Sequence, residues 1–539
     1  MGNTDMTREE LLLLIDQAVT EGWTELDLSG QGLTELPPEI GRLTRLEKLV
    51  LGQWAPDTIG PEGVCGMQQV GDTWLPLISD NQLTSLPVEL SSLGNLHRLY
   101  MSGNQWDVFP LVVTQLHNLR VLVLVRSHLK ELPNEITQLH SLTHLILKEN
   151  QLTQLPEGIS RLSNLKTLNL VDNNLTQLPD GILQLSNLTT LELGGNQLTY
   201  LPEGISRLSN LKVLELVDNN LTHLPDGISQ LSNLAKLELG SNQLTHLPEG
   251  ISRLSNLKTL ELVDNNLTHL PDRVSQLSNL TKLELGSNLL TNLPGGISRL
   301  SNLKVLNLAD NNLTHLPDGI SQLSSLTKLE LRDNQLTHLS EDISQLSNLK
   351  DLDLANNNLT QFPDEISQLS SLTMLDLHNN QLTQIPRIIS QLSNLNKLYL
   401  WNNQIIQLPD EISRLHNLKI LDLASNNLTQ LPDTISQLSN LSNLHLEDND
   451  FTQLPKQITQ LYNLTTLDLG GNQITYLPSE IVQLSNLTHL DISRNQITYL
   501  PGELSQLPNL KRLVISGEKL RSLPNELLQL SDLGTGPRK

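Results

Sequence analysis

The sequence predicts an α/β solenoid, with a curved parallel sheet on the concave face and an irregular or short-helical return on the convex side, and three observations predict it. First, an asparagine at Asn81 recurs on a 23-residue period at Asn104, Asn150, Asn173, Asn196 and onward to Asn495. Second, the apolar positions around each recurrence keep one spacing. In one unit they are Leu165, Leu168, Leu170, Leu175, Leu178 and Ile182. Leu168 and Leu170, two apart, point inward from a strand, while Thr167, Asn169 and Val171 alternate to the open face. Third, a proline such as Pro179 follows nearly every corner, and because it cannot continue a strand ladder the chain must return by turns. Self-similarity of this kind means units that each supply one short parallel strand and stack only on their neighbours. The asparagine marks the corner, where its amide both donates and accepts and so satisfies backbone groups that a buried turn leaves unpaired.

In chain order, residues 1–22 form an amino-terminal capping helix. Thr7-Arg8-Glu9-Glu10 is a capping box ahead of an apolar face from Leu11, Leu12, Ile15 and Val19, and Gly22 ends the helix. Its place is over the open edge of the first strand, around Leu26 and Leu28. The repeat array occupies 23–533. Counting the corner slot through Gln31 and Trp54 at the start and Glu518 at the end gives about 22 repeats. At a strand spacing of about 4.8 Å the stack has a contour on the order of 100 Å, with a continuous face and no deep pocket.

Between Trp54 and Asn81 four residues are added to the period. The irregular segment 55–80, with Gly60, Gly63, Gly66, Gly71, Trp74 and Cys65, reads as a tolerated surface insertion, because closure entropy grows slowly with loop length. A loop reaching over the concave face is its functional alternative. Residues 534–539 make a short tail. It leaves the strand near Leu513 and Ile515 covered only by its own return segment, an edge open to end-to-end association.

At 539 residues the chain exceeds an ordinary single core, but a solenoid grows without thickening its core, so one elongated domain suffices. A formal net charge of −23 excludes a nucleic-acid or anionic-membrane surface, which needs clustered Lys and Arg, and leaves basic or mixed-charge proteins as partners. There is one cysteine, Cys65, so no disulfide can form within the chain, and it has no Cys/His catalytic context. Residues 1–10 lack a basic stretch leading into an apolar run, the Leu11 to Ile15 run is too short to span a bilayer, and Met6 stands where a myristoylation signal from Gly2 requires Ser or Thr. The expected setting is therefore cytoplasmic and unanchored, where the Asn-Leu-Thr triplets of the repeat carry no glycan.

Repeats written LSNLKTLNLVDNNLTQLPDGI resemble the intracellular 23-residue class of leucine-rich repeats seen in Ras-scaffold and plant Ras-group leucine-rich proteins. The opening REELLLLIDQAVTEGWTELDLSGQGLTELPPEIGRLTRLEKLVLG resembles the leucine-rich arm of bacterial Roco proteins, which continue into a Ras-like GTPase and a dimerising domain. Nowhere does G-x-x-x-x-G-K-[ST] occur, so no phosphate cradle exists in this chain. The resemblance implies a scaffold for protein partners in intracellular signalling, or alternatively the sensing arm of a Roco-type GTPase or kinase assembly without its catalytic part.

Chemistry must come from the open strand faces. Four residues before each corner slot stands an acidic column, Glu192, Glu215, Glu238, Glu261, Glu284, Glu330, Asp353 and Asp376, interrupted by Asn307. Stacked carboxylates repel. Lys212, Lys258 and Lys304, three positions earlier, and Lys236, Lys282 and Lys328, two positions earlier, are expected to offset them, with calcium or a basic partner as the alternative. A column of histidines, His223, His246, His269, His315 and His338, follows the corner, but a straight stack does not converge on a tetrahedral metal. No catalytic, cofactor-binding or metal residues are expected, and the chain reads as a non-enzyme.

Where the exposed face abandons the repeat, core packing does not demand the change. Two adjacent strands do so with Met374, Asp376 and His378, then Lys397, Tyr399 and Trp401. Aromatic rings, a methionine and a few charges match the make-up of protein-binding hot spots, and these six are the expected partner-binding residues. A second apolar patch, Tyr100, Val121, Val123, Val125 and Ile146, is flanked by Arg98, Arg126 and Lys148; it is a second-ranked contact surface, with cover by the 55–80 segment as its alternative.

Overall fold

The computed structural model describes residues 5–52, 67–70, 73–76, 81–515 and 532–534. It falls into two compact units, Met1–Asn266 and Leu267–Lys539. Among the described residues no helix is long and apolar enough to cross a membrane.

The first unit opens with the helix Arg8–Glu21. The Thr7 hydroxyl accepts the Glu10 N–H, Glu10 returns to the Thr7 N–H at 2.8 Å, and Gly22 closes the helix at φ 71°, the left-handed conformation glycine adopts most cheaply. Leu11, Ile15 and Ala18 are buried beneath it, whereas Leu12 and Val19 are only half-buried. Arg42 and Arg8 tie it to the first repeat through Asp16 and Glu35.

Three-residue parallel strands then stack in register. Leu168 lies beside Leu191, Leu191 beside Leu214 and Leu214 beside Leu237, so each inward leucine rests on its own copy and is fully buried. After nearly every corner a proline leads into one turn of 3-10 helix, Pro179 into Asp180–Gln184 for instance, while Ser340 stands in that place before Glu341–Gln345. This is the turn that proline's fixed φ and missing N–H permit.

The corner asparagines are buried and fully bonded. Asn242 donates to Leu216 O, Leu239 O and Gly240 O at 2.9, 3.1 and 3.0 Å, and accepts the Leu221 N–H at 2.9 Å. The residue before it, Ser241, takes φ 49°, and the equivalent position elsewhere is mostly Asp, Asn, Ser or Gly, the types that tolerate that region. A second ladder, unforeseen from sequence, runs along the return side. Asn187, Asn210 and Asn233 of the S-N-L triplets each donate to a serine carbonyl one repeat back at 2.8 Å.

At the insertion the structure departs from the repeat count. Lys48–Val50 pairs directly with Arg98–Tyr100. Asn81 serves as the corner of the earlier strand, donating to Leu51 O and Leu28 O at 2.8 Å and accepting the Leu33 N–H at 2.9 Å. The inserted chain thus leaves between a strand and its own corner, and among the described residues no separate strand of the parallel sheet lies between Val50 and Asn81. Residues 73–76, where regular spacing would begin that strand, pair antiparallel with Met67–Val70 instead. At the exit a Cβ on Gly52 would lie 1.7 Å from Ser102 O, so only glycine fits. Trp54, Cys65 and the remainder of 53–80 lie outside the described residues.

The second unit repeats the same stack, with Leu283 beside Leu306, Leu375 beside Leu398, Leu444 beside Leu467 and Leu490 beside Leu513. Its far end corrects an expectation. Arg512–Val514 is not left with a bare edge, because Asp532–Gly534 pairs with it in parallel, Leu513 against Leu533. The final unit is a shortened repeat, entered by the same L-x-x-L spacing at Leu530 and Leu533 that Leu510 and Leu513 show. Glu518 and residues 535–539 lie outside the described residues.

Candidate functional site

Backbone pairing in the second unit sets three side-chain columns on the open face. Met374 lies beside Lys397, and Asp376 beside Tyr399; His378 and Trp401 follow two residues on. The His378 ring stacks on the Trp401 indole with centroids 4.1 Å apart and planes 10° from parallel. Asp376 holds that ring from below, its Oδ1 2.6 Å from His378 Nδ1 and 3.1 Å from the His378 N–H. Tyr399 stands between Asp376 and Asp422, and burial, with those two carboxylates, pushes its phenol up. Lys397 is exposed, and Met374 half-buried. All six residues expected to meet a partner therefore share one surface on adjacent strands.

The acidic column continues on both sides. Burial pushes the Asp353 carboxyl up to about 6 against the hydrogen bond from the Ala355 N–H, and the neighbouring Asp376 charge adds to the rise. Asp422 is raised in the same way, by burial first.

Lysines two positions earlier offset several carboxylates of the ladder. Lys236 meets Glu238 at 2.9 Å, and in the second unit Lys282 meets Glu284 at 3.1 Å and Lys328 meets Glu330 at 2.7 Å. These lysines precede their partners by two positions and so share a face. Lys212, three before Glu215, falls off that face and is exposed. The expected Lys212–Glu215 pair does not form. Glu215 instead accepts the Gly194 and Val217 N–H groups, each at 3.0 Å.

The histidines after the corner are exposed, each ring beside its preceding threonine hydroxyl, as His315 is to Thr314 at 3.0 Å. Tyr100, Val123, Val125 and Ile146 are buried and pack on Val50, with Val121 partly buried against them, so the second apolar patch is no free surface. Arg126 and Lys148 beside it pair with Glu149.

One group escaped the sequence reading. His445, Glu447 and Asp468 come together two strands beyond Tyr399, His445 Nδ1 2.6 Å from Asp468 Oδ2. Their signal was the same departure from the repeat that marks Trp401. His445 occupies the column otherwise held mostly by acids, and Glu447 a slot where Ala424 and Gly470 flank it.

The leucine rich repeat family matches residues 117–175, 255–313, 278–336, 324–382 and 393–451. A leucine-rich repeat region matches 158–243 and 443–535. No curated protein matches the chain. Among solved structures, a leucine-rich-repeat protein of Leptospira interrogans is 38% identical over 75% of this chain and 92% of its own, with a TM-score of 0.59. A plant peptide hormone receptor in complex with RGF2 is 28% identical over 95% of this chain and 89% of its own, with a TM-score of 0.68. The Arabidopsis receptor kinase HAESA, in complex with the peptide hormone IDA and a co-receptor, is 26% identical over 96% of this chain and 90% of its own, with a TM-score of 0.64.

Proposed function

The chain belongs to the leucine-rich-repeat family, and from that premise we propose that it is a non-catalytic scaffold that binds a protein or peptide through the open strand face at Met374, Asp376, His378, Lys397, Tyr399 and Trp401. The observation that carries this reading is the His378–Trp401 stack. Two rings lie flat against one another at 4.1 Å, braced by Asp376, on a face where the leucine core requires neither. Rigid aromatic area of this sort is low in conformational entropy and dominates interface energies. The plant receptors similar to this chain are seen with peptide hormones, which supports the same use of the fold. Those receptor complexes also support a signalling context. The single cysteine supports a reducing, cytoplasmic one, and the net charge of −23 favours a partner that is basic or of mixed charge.

Isothermal titration of a partner captured on the wild-type chain tests the assignment. Trp401→Ala and Tyr399→Ala are each expected to weaken binding by at least about 2 kcal/mol, roughly thirtyfold in Kd, with the melting temperature little changed because neither side chain is part of the leucine core. Unchanged affinity in both variants removes this surface from the reading.

A further inference from the structure

We propose that His445, Glu447 and Asp468 form a binding site for a first-row divalent transition-metal cation of the zinc type. Pairing of Asn443–His445 with Thr466–Asp468 sets His445 directly beside Asp468. Glu447 follows His445 by two residues and so lies on the same face. One donor atom from each of the three lies within 4.8 Å of the others. Ligands held about 2.1 Å from a common ion stand roughly 3 to 4 Å apart, so small side-chain rotations close the set around a cation.

A second observation points to a ligand independently of this proximity. Glu447 Oε2 is buried and has no hydrogen-bond partner, an expensive state for a carboxylate oxygen that folded proteins rarely leave uncompensated. The reason is local. The same column holds Ala424 on one side and Gly470 on the other, with strand bonds Ser425 N to Glu447 O and Asp448 N to Gly470 O fixing that alignment at 2.8 Å, and neither neighbour has a side-chain donor. A cation shared with His445 and Asp468 satisfies that oxygen.

The donor set selects the ion. One imidazole nitrogen with two carboxylates suits zinc and its neighbours, whereas calcium and magnesium take oxygen ligands throughout. Three protein ligands leave a coordination position free, and Glu447 and Asp468 also line a cleft of about 430 Å³ with Thr466, His489, Asp491, Arg494 and Arg512. The exposed histidines of the LTHLP segments have no such convergence.

Zinc titrated into chelator-treated full-length chain, followed by calorimetry, is expected to show one saturable site. Glu447→Gln and His445→Gln should each weaken it about tenfold or more, while His315→Ala leaves it unchanged. Zinc should also raise the melting temperature of the wild type and of His315→Ala but not of the two triad variants. Metal-free melting curves identify a variant that fails to fold, and Asp468→Asn then carries the same comparison. Absence of saturable binding, equal binding in the triad variants, or displacement of zinc by equimolar calcium would overturn the proposal.

Discussion

Asn242→Leu is expected to destabilise the chain by about 3 to 4 kcal/mol, the cost of orphaning several buried backbone groups at about 1 to 3 kcal/mol apiece. The asparagine is 8% exposed and bridges two repeats, accepting the Leu221 N–H and donating to Leu216 O as well as to its own corner. Leucine fills the space but offers no donor or acceptor. The neighbouring exposed Gln243→Ala should change stability by no more than about 0.5 kcal/mol. Urea unfolding gives the global figure, and amide exchange at Leu221 the local one: that hydrogen loses its acceptor and should exchange with the fastest amides of its repeat. A loss under about 1 kcal/mol would mean that water replaces the amide at the corner, and that the ladder is not where the repeat draws its specificity.

Such a corner was legible in the sequence because every unit repeats it, so one solution to the buried-turn problem is stated again and again. The same holds for the inward leucines and for the turns after proline. What could not be read this way is whatever occurs once. Lys212 and Lys236 look alike as charges near glutamates, and only the two-residue strand alternation shows that Lys236 reaches Glu238 while Lys212 cannot reach Glu215. Asn81 keeps the look of an independent repeat while serving the strand at Lys48–Val50. Leu533 hides a strand because its unit is too short for the 23-residue register.

The candidate sites divide along the same line. Trp401 and Tyr399 stand out as aromatics in a chain with 3% aromatic residues, and composition alone draws attention to them. His445, Glu447 and Asp468 are ordinary residue types in a chain rich in acids. Their proximity exists only across a strand pair, and the orphaned Glu447 oxygen only in three dimensions. Both groups lie where the exposed face leaves the repeat, so departure from the repeat is the sequence signal, and stacking decides which departures meet.

Acidic pH is expected to stabilise this chain through Glu215, contrary to the usual behaviour of a paired carboxylate. Glu215 sits between Glu192 and Glu238 in the strand register. Burial pushes its carboxyl up to about 7, the two flanking glutamates add to the rise, and the Gly194 and Val217 N–H groups oppose it. A carboxyl whose pKa is higher in the folded chain than in the unfolded one binds its proton more tightly when folded. Its contribution is therefore fully present below the unfolded value of 4.5 and is lost as pH climbs through about 7. A rise of that size corresponds to roughly 3 kcal/mol between pH 4.5 and 8. Urea unfolding at intervals across this range should show the wild type weakening as pH rises, with a shallower slope in Glu215→Gln, which cannot titrate. The comparison is between slopes, because glutamine also gives up one of the two backbone hydrogen bonds and so lowers the curve at every pH. Parallel curves for the two proteins would show that Glu215 remains ionised without penalty, held by those backbone donors alone.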